Sequence, residues 1–394
     1  MGLRIGIAGA GIGGLAAAAL LARAGHAVRV FDRFPAPAPV GSGLVIQPVG
    51  LEVLAEAGAV EAALARGRRI TRLVGHEASS GRRVLDVGYG AVPGLAIHRA
   101  SLFAALLEAA LAAGAELVPG AHVMGAGEGW IELSGGGREG PFDLIVDAAG
   151  ARSPLSPLKA RPLPYGALWA NVDWPEGTPL PPDRLTQRYR RADRMVGVLP
   201  IGTPPGETRP QAAIFWSLPE DGYSAWAEAG LGAWAAEATA LWPDVAPFAA
   251  QVTEPSQMVF ARYSHGQLLR PWRPGLAHIG DAAHRTSPQL GQGANMALLD
   301  ALALTRALER AEGEAALRLY ARARRAHVLG YQAISAAFTP QYQSGSRILP
   351  VIRDHLLAPL SFTPPLPWIL TRLVAGRLVP PLGRLSRRRE APPP

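Results

Sequence analysis

Apolar positions along the chain change their spacing several times, and each change marks an element. Arg4–Ala8 (RIGIA) is a short apolar run of the kind found in a strand buried on both faces. GAGIGG follows directly at Gly9–Gly14, and the small and apolar residues of Leu15–Arg23 read as a helix. Gly25-His26 then turns the chain into AVRVF, a second strand ending at Asp32, which completes the start of a βαβ unit. A strand at Leu44–Gln47 and a helix around Leu51–Ala57 come next. Apolar residues at 102, 103, 106, 107 and 111 have helical spacing, and a strand is predicted around Glu116–Val118. Ile131–Leu133 and Phe142–Asp147 flank the turn-forming SGGGREG, which predicts that they pair as a hairpin.

From about Pro162 to Pro271 the texture changes to prolines, tryptophans and strands such as AAIFWSL at 212–218. Leu276–Ile279 returns to a short buried strand, and long helices follow from about Gly293. The pattern predicts an α/β chain with a Rossmann-like dinucleotide-binding domain over 1–160 and 272–330. A β-rich substrate domain would occupy 161–271, with 68–95 a candidate to join it, and a helical segment 331–394.

Composition narrows the class. Hydrophobic residues make up 48% and charged residues 18% of the 394 residues, the balance of a packed globular protein. The absence of cysteine excludes disulfides, Cys-ligated metals and a thiol nucleophile, and no metal site is expected. The net charge of +8 is carried almost wholly by arginine, since Lys159 is the only lysine. These arginines are scattered except at Arg387–Arg389, with no basic stripe interleaved with aromatics, so nucleic acid is not expected as a partner. The opening MGLRIGIAGAG has no leader pattern and no clean apolar run reaches membrane-spanning length, so a cytoplasmic location is expected. The Leu-, Pro- and Trp-rich tail from Ile348 to Leu382 is broken by Arg353, Asp354, Arg372 and Arg377. It reads as a packed terminal helix pair rather than a lipid-contacting surface.

Gly9, Gly11 and Gly14 stand between a strand and a helix. There the first allows a tight turn, the second lets a pyrophosphate approach the backbone, and the third lets helix and strand pack closely. Ile12 and Gly13 complete the loop, whose helix N-terminus offers free N–H groups to phosphates. Asp32, 18 residues after Gly14, is placed to accept from ribose hydroxyls and disfavours a 2′-phosphate, so the site suits NAD or FAD. The glycines leave open which of the two binds.

The segment GDAAHRTSPQLGQGANMALLD at 280–300 narrows that choice. Together with GAGIGG, FDR at 31–33, GSGLVIQP at 41–48 and HRASL at 98–102, it resembles the group A flavoprotein monooxygenases, the class of p-hydroxybenzoate hydroxylase. The resemblance implies FAD as cofactor, with Asp281 on the ribityl chain and Arg99 near the pyrophosphate and ribityl region. Pro288, Gly291, Gly293, Ala294 and Asn295 would then line the isoalloxazine. NADH or NADPH would be a transient reductant, visiting a shared groove because there is no second Rossmann unit. Arg33 is placed to meet its phosphates, or is simply solvent-exposed. Oxygen would be delivered to a small aromatic or apolar substrate through a C4a-hydroperoxyflavin. The flavin carries the chemistry, so no protein nucleophile is expected. His284 is then a hydrogen-bonding residue of the loop rather than a general base paired with Asp281.

One motif departs from the family. Where members carry GADGxxSxxR, this chain has DAAGARSPLS at Asp147–Ser156, with Ala149 in place of Asp and Ser156 in place of Arg. The family associates that motif with FAD and NAD(P)H use, and Asp147, on the same strand face, is a candidate substitute. Substrate-pocket candidates are Arg188, Met195, Val198, Phe215 and Trp216, from strands expected at 184–200 and 212–218. Alternatives are a flavin-dependent reductase or dehydrogenase on the same fold, or a flavin-binding protein with little turnover. A halogenase lacks support because its WxWxIP motif is missing and Lys159 is not in the usual place.

Overall fold

The computed structural model describes residues 2–35 and 41–386, so Arg387–Arg389 lie outside the described residues. Arg4–Ala8 pairs in parallel with Ala27–Phe31 on one side and Leu144–Asp147 on the other. Glu116–Val118 extends the sheet beyond the first of these, and Leu276–His278 beyond the second, both in parallel. Trp272–Arg273 closes the sixth position antiparallel. One face is covered by the helices Ile12–Arg23, Arg99–Ala112 and Gly293–Leu308, whose apolar side chains share a core with Ile5, Ile7, Val30 and Val146. Ala16–Ala19 are fully buried, and such small side chains let the first helix lie close against Gly293–Leu308.

The other face is closed by a small antiparallel sheet of Val123–Gly127, Trp130–Leu133 and Arg138–Glu139. The hairpin expected between Ile131–Leu133 and Phe142–Asp147 does not form. SGGG turns the chain, but Trp130–Leu133 pairs with Arg138–Glu139 and Val123–Gly127 instead. Leu144–Asp147 is buried at every position and needs a sheet covered on both faces, whereas Trp130 and Glu132 face solvent.

A second sheet of eight strands runs His284–Arg285, Val259–Gln267, Arg161–Asp173, Gln211–Pro219, Arg194–Gly202, Arg184–Arg190, Arg72–Glu77 and Arg83–Gly88. Its outer face carries Leu168, Ala170, Val172, Val196, Val198, Ile214 and Trp216, packed under the helix Tyr223–Leu241 and Phe248. This helix lies within the stretch that the sequence reads only as β-rich. The inner face meets a third sheet, of Gly43–Ile46, Gly94–His98 and Arg68–Ile70. A single helix, Gly313–Tyr342, runs straight through the division expected at 330–331.

The tightest backbone approach lies in the first turn. Gly9 has φ of +101°, a left-handed conformation that glycine adopts without strain. A Cβ on Gly14 would stand 1.9 Å from the Gly9 carbonyl oxygen. Gly14→Ala therefore forces backbone apart, and we expect a loss of about 1–3 kcal/mol in unfolding free energy. A denaturation midpoint equal to that of the unsubstituted protein would show that the turn has room to open.

Candidate active site

The glycine turn leaves space in one place only. A Cβ on Gly9 or Gly14 would meet backbone, and one on Gly13 would lie 3.3 Å from Ala297, but one on Gly11 would meet nothing within 4 Å. Gly11 is the N-cap of Ile12–Arg23 and no side chain caps that helix, so its first amides are free to meet an anion beside Gly11. The side chain of Ile12 is buried in the core and Gly13 packs on the neighbouring helix, so both serve the turn through backbone alone. Asp32 accepts from the Ala10 amide at 2.7 Å and the Phe34 amide at 3.0 Å. A carboxylate has about four acceptor sites, so capacity remains for a ribose. Arg33 is exposed, its guanidinium 4.8 Å from the Phe34 ring centroid. Arg99 opens the helix Arg99–Ala112, exposed, with its side chain against Gly41.

The second segment is bound to the first by a carboxamide network. Asn295 accepts from the Gln47 amide at 2.8 Å and donates to the carbonyls of Val45 at 3.0 Å and Gly291 at 2.9 Å. Gln47 donates to Leu290 O at 2.8 Å, and Gln292 donates to the Gln47 side chain. Gln47 and Gln292 escaped the sequence reading, although Gln47 sits just before the proline that starts a helix, where side chains commonly serve as caps. Pro288–Leu290 forms a tight turn ending at Gly291, where φ is +61°. Pro288 and Asp281 are exposed, and among the described residues no side chain bonds the Asp281 carboxylate. Gly293 and Ala294, half-buried, begin the helix Gly293–Leu308, and a Cβ on Gly293 would meet open space.

His284 does not pair with Asp281. Its Nε2 lies 2.6 Å from Asp300 Oδ2, which also accepts from the Gly280 amide at 2.9 Å, while Asp300 Oδ1 accepts from Arg324 Nε at 2.7 Å. Burial raises the Asp300 carboxyl, but the charges of His284 and Arg324 outweigh it and hold the group down at about 2. Thr286, Ser287 and the Arg285 carbonyl are bonded in turn by Ser335, Thr339 and Gln332 of the long helix.

The departure at 147–156 is built differently from the expectation. Asp147 is fully buried. It faces His278 Nδ1 at 2.7 Å and accepts from Ser153 Oγ at 2.7 Å and the Ala149 amide at 3.1 Å. Its carboxylate is enclosed between strands and cannot substitute for a group presented at the site. Ser156 donates to Ala282 O at 2.5 Å. An arginine does reach this turn from the other segment: Arg285 donates to Ala151 O and, at 3.2 Å, to Asp281 O.

The large sheet separates the pocket candidates. Val198 and Trp216 point into the outer core under Tyr223–Leu241, and the Arg188 guanidinium lies 5.6 Å from the Trp242 ring centroid on that same side. These three are withdrawn, because alternation along a strand sends them away from the glycine loops. Met195 and Phe215 lie on the inner face. There the rings of Phe215 and Trp169 approach to 4.7 Å between centroids, and Trp169 Nε1 donates to Tyr263 Oη at 2.9 Å. Burial pushes the Tyr263 hydroxyl up to about 12, despite the bond from Trp169. The Asn171 carboxamide sits between Ser42 Oγ at 2.6 Å and His98 Nε2 at 3.0 Å. Burial lowers the pKa of His98, whose Nδ1 accepts the Ala100 amide. A Cβ on Gly43 would lie 2.4 Å from Ile201 and 2.8 Å from Ala213, so the GSGL strand is laid directly on this inner face. Trp169, Asn171 and Tyr263 are residues the sequence reading missed, although Trp169 and Asn171 alternate with the buried Leu168, Ala170 and Val172.

The family described as FAD binding domain matches residues 3–125 and 235–332, more than half of the chain. An aurachin C monooxygenase/isomerase from Stigmatella aurantiaca is 32% identical over 343 residues, covering 81% of this chain and 84% of the relative. A 2-heptyl-3-hydroxy-4(1H)-quinolone synthase from Mycobacteroides abscessus is 29% identical over 314 residues, covering 77% of this chain and 80% of the relative. Among solved structures, a mutant of 2-methyl-3-hydroxypyridine-5-carboxylic acid oxygenase shares the fold. Its TM-score is 0.80 at 21% identity, over 96% of this chain and 99% of that one. The chain belongs to the FAD binding domain family, among the group A flavoprotein monooxygenases with the p-hydroxybenzoate hydroxylase type of fold, and its cofactor is FAD. The open space at Gly11, the free helix amides and the unengaged Asp281 carboxylate fit that cofactor.

Asp300 gives the site a pH signature. Its depressed carboxyl contributes about 2 kcal/mol of stability when ionised, present above its ordinary 3.8 and lost as pH falls towards about 2. Asp300→Asn leaves the Arg324 charge buried without its partner, so we expect a loss of roughly 3–5 kcal/mol at neutral pH. The acid limb of the stability curve should flatten with it. Urea denaturation across pH 2 to 7 reads both effects, and a variant with an unchanged acid limb would contradict the assignment.

Proposed function

We propose that this protein hydroxylates a small, neutral aromatic substrate, with NADH or NADPH as transient reductant and O2 as the oxygen source. The observation that carries this reading is the inner wall of Trp169, Phe215 and Tyr263, on the sheet face against which the GSGL strand is laid. Bound FAD supplies the redox chemistry and the activation of oxygen. The amides beside Gly11 would hold its pyrophosphate, Asp32 its ribose and Asp281 its ribityl chain, with Arg99 near the ribityl and pyrophosphate region. Pro288, Gly291 and the amides of Gly293–Asn295 would lie along the ring, where the positive end of a helix favours negative charge. With Arg188 on the outer face, Trp169 and Phe215 have the Tyr263 hydroxyl and the Asn171 carboxamide near them, with His98 of the third sheet beside Asn171. The Arg353 guanidinium against Tyr189 is already paired with Asp354, and this setting suits an uncharged ring better than a benzoate. Tyr263 accepts from Trp169 through its oxygen, so its own proton is free to donate to a ring carbonyl or hydroxyl. The relative named for a 2-heptyl-3-hydroxy-4(1H)-quinolone, a ring with a 4-carbonyl and a 3-hydroxyl, supports a bicyclic substrate of that kind.

The reading is tested with FAD-loaded protein, NADH or NADPH and a panel of neutral 4-quinolones beside hydroxybenzoates. O2 uptake matched to a product heavier by one oxygen, for a neutral ring, is the expected result. Anaerobic reduction or desaturation without oxygen gain would identify a reductase or dehydrogenase instead. Tyr263→Phe should lower kcat/KM about tenfold or more through the lost hydrogen bond while leaving FAD content unchanged. An equal kcat/KM would remove Tyr263 from the site.

A further inference from the structure

The C-terminal segment packs on the protein through one side only. The chain is continuously helical through Leu349–Ile352, the wider turn Arg353–Leu357 and Ala358–Ser361, followed by the helix Leu366–Val374. Pro350, Arg353, Asp354 and Ala358 turn inward, which leaves the opposite side facing solvent. Eight of the fifteen exposed large apolar side chains among the described residues fall between positions 348 and 368. Ile348 is 70% exposed, Trp368 63%, Val351 56% and Leu356 54%, with Leu360 and Phe362 close behind. A concentration of this kind marks a surface that meets a partner or a lipid.

The charges around the stripe indicate which. The Arg83 guanidinium lies 5.5 Å from the Phe362 ring centroid and that of Arg372 lies 5.0 Å from Trp368. Arg82 contacts His355 at 2.7 Å, and Arg347 precedes Ile348. Among the described residues no carboxylate pairs with Arg82, Arg347 or Arg372. The acids nearest this edge are engaged already: Asp86 by Arg72 and Arg83, Asp354 by Arg353, and Glu77 by the Ser79 and Ser80 hydroxyls and amides. An apolar stripe with an exposed tryptophan and unpaired arginines around it matches the headgroup region of an anionic bilayer. There apolar side chains sink below the phosphates and arginines reach back to them. A second copy of this chain fits poorly, since a twofold contact through this face would bring the same arginines together. No helix among the described residues is long and apolar enough to cross a membrane, so the contact would lie in the interface plane.

We propose that the 348–372 face docks on an anionic phospholipid surface. The test is co-sedimentation of the FAD-loaded protein with vesicles of phosphatidylcholine alone or mixed with phosphatidylglycerol. Binding to the mixed vesicles at low salt is expected, with weak binding to phosphatidylcholine and release as salt screens the arginines. A Leu360→Asp/Trp368→Ala variant should lose at least about tenfold in partitioning, and an Arg82→Gln/Arg372→Gln variant should lose the salt-dependent part. Both should keep their FAD, read from the visible spectrum, which separates docking from misfolding. No binding to either vesicle, equal binding to both, or unaltered binding by the variants would overturn the proposal. So would a concentration-dependent dimer abolished by Leu360→Asp, which would give the face to a second copy.

Discussion

The buried carboxylate of Asp300 holds three parts of the chain at one point. Its oxygens take the Gly280 amide at the start of the flavin segment, the His284 ring four residues on, and the Arg324 guanidinium from the long C-terminal helix. A charge without water around it is stable only when its partners are all in place. The turn from Gly280 to His284 and the lean of the helix Gly313–Tyr342 are therefore set together. Ser335, Thr339 and Gln332 on the same helix extend that fixation to Arg285, Thr286 and Ser287. Asp281, whose carboxylate has no side-chain partner among the described residues, stands on a turn whose neighbours are all engaged. The ribityl contact proposed for it would thus rest on a turn held from outside rather than on the loop's own rigidity.

The large sheet imposes the second constraint. On Arg161–Asp173, Arg194–Gly202 and Gln211–Pro219 its outer face packs under Tyr223–Leu241, so only alternate residues of these strands face the other side. This explains why Trp216 and Phe215, adjacent in sequence, have unrelated surroundings: the first lies in the outer core, the second against Trp169. It also fixes the polarity of the inner wall. With Arg188 turned outward, the polar groups near Trp169 are a tyrosine hydroxyl and a carboxamide. The imidazole of His98 on the third sheet is disfavoured in its charged form by burial, and the Arg353 guanidinium against Tyr189 is paired with Asp354.

Much of the fold was legible because it rests on local chemistry. The glycine turn, the Asp32 position and the helix from Gly293 follow from glycine conformations and helix termini that a few residues determine. The failures share one cause. The turn before Phe142–Asp147 suggests a hairpin arm, but the partners of the strand Leu144–Asp147, Arg4–Ala8 and Leu276–His278, are more than a hundred residues away. The face assignment of Val198 and Trp216 needed the register of Arg194–Gly202 with Gln211–Pro219 and the position of a helix that covers one side. The engagement of Asp147 with His278 likewise depends on a contact across 131 positions. Periodicity shows that a strand has two faces, and only the tertiary partner decides which face meets the site.

The segment from Leu349 to Val374 joins the two proposals physically. Ala358 packs in the cluster of Met195 and Phe215, and Val374 and Leu370 in the cluster of Ile201 and Ala213, so its inward residues back the inner wall of the large sheet. Its outward residues are the exposed apolar stripe. One helical segment therefore lies between the aromatic inner wall and the surface proposed to meet lipid. A neutral aromatic ring of the kind proposed as substrate partitions more favourably into a bilayer than into water. An enzyme for such a compound gains by drawing it from the membrane through a thin apolar partition rather than across open solvent. The exposed leucines and tryptophan of that segment, destabilising in water, fit the docking proposed for this face.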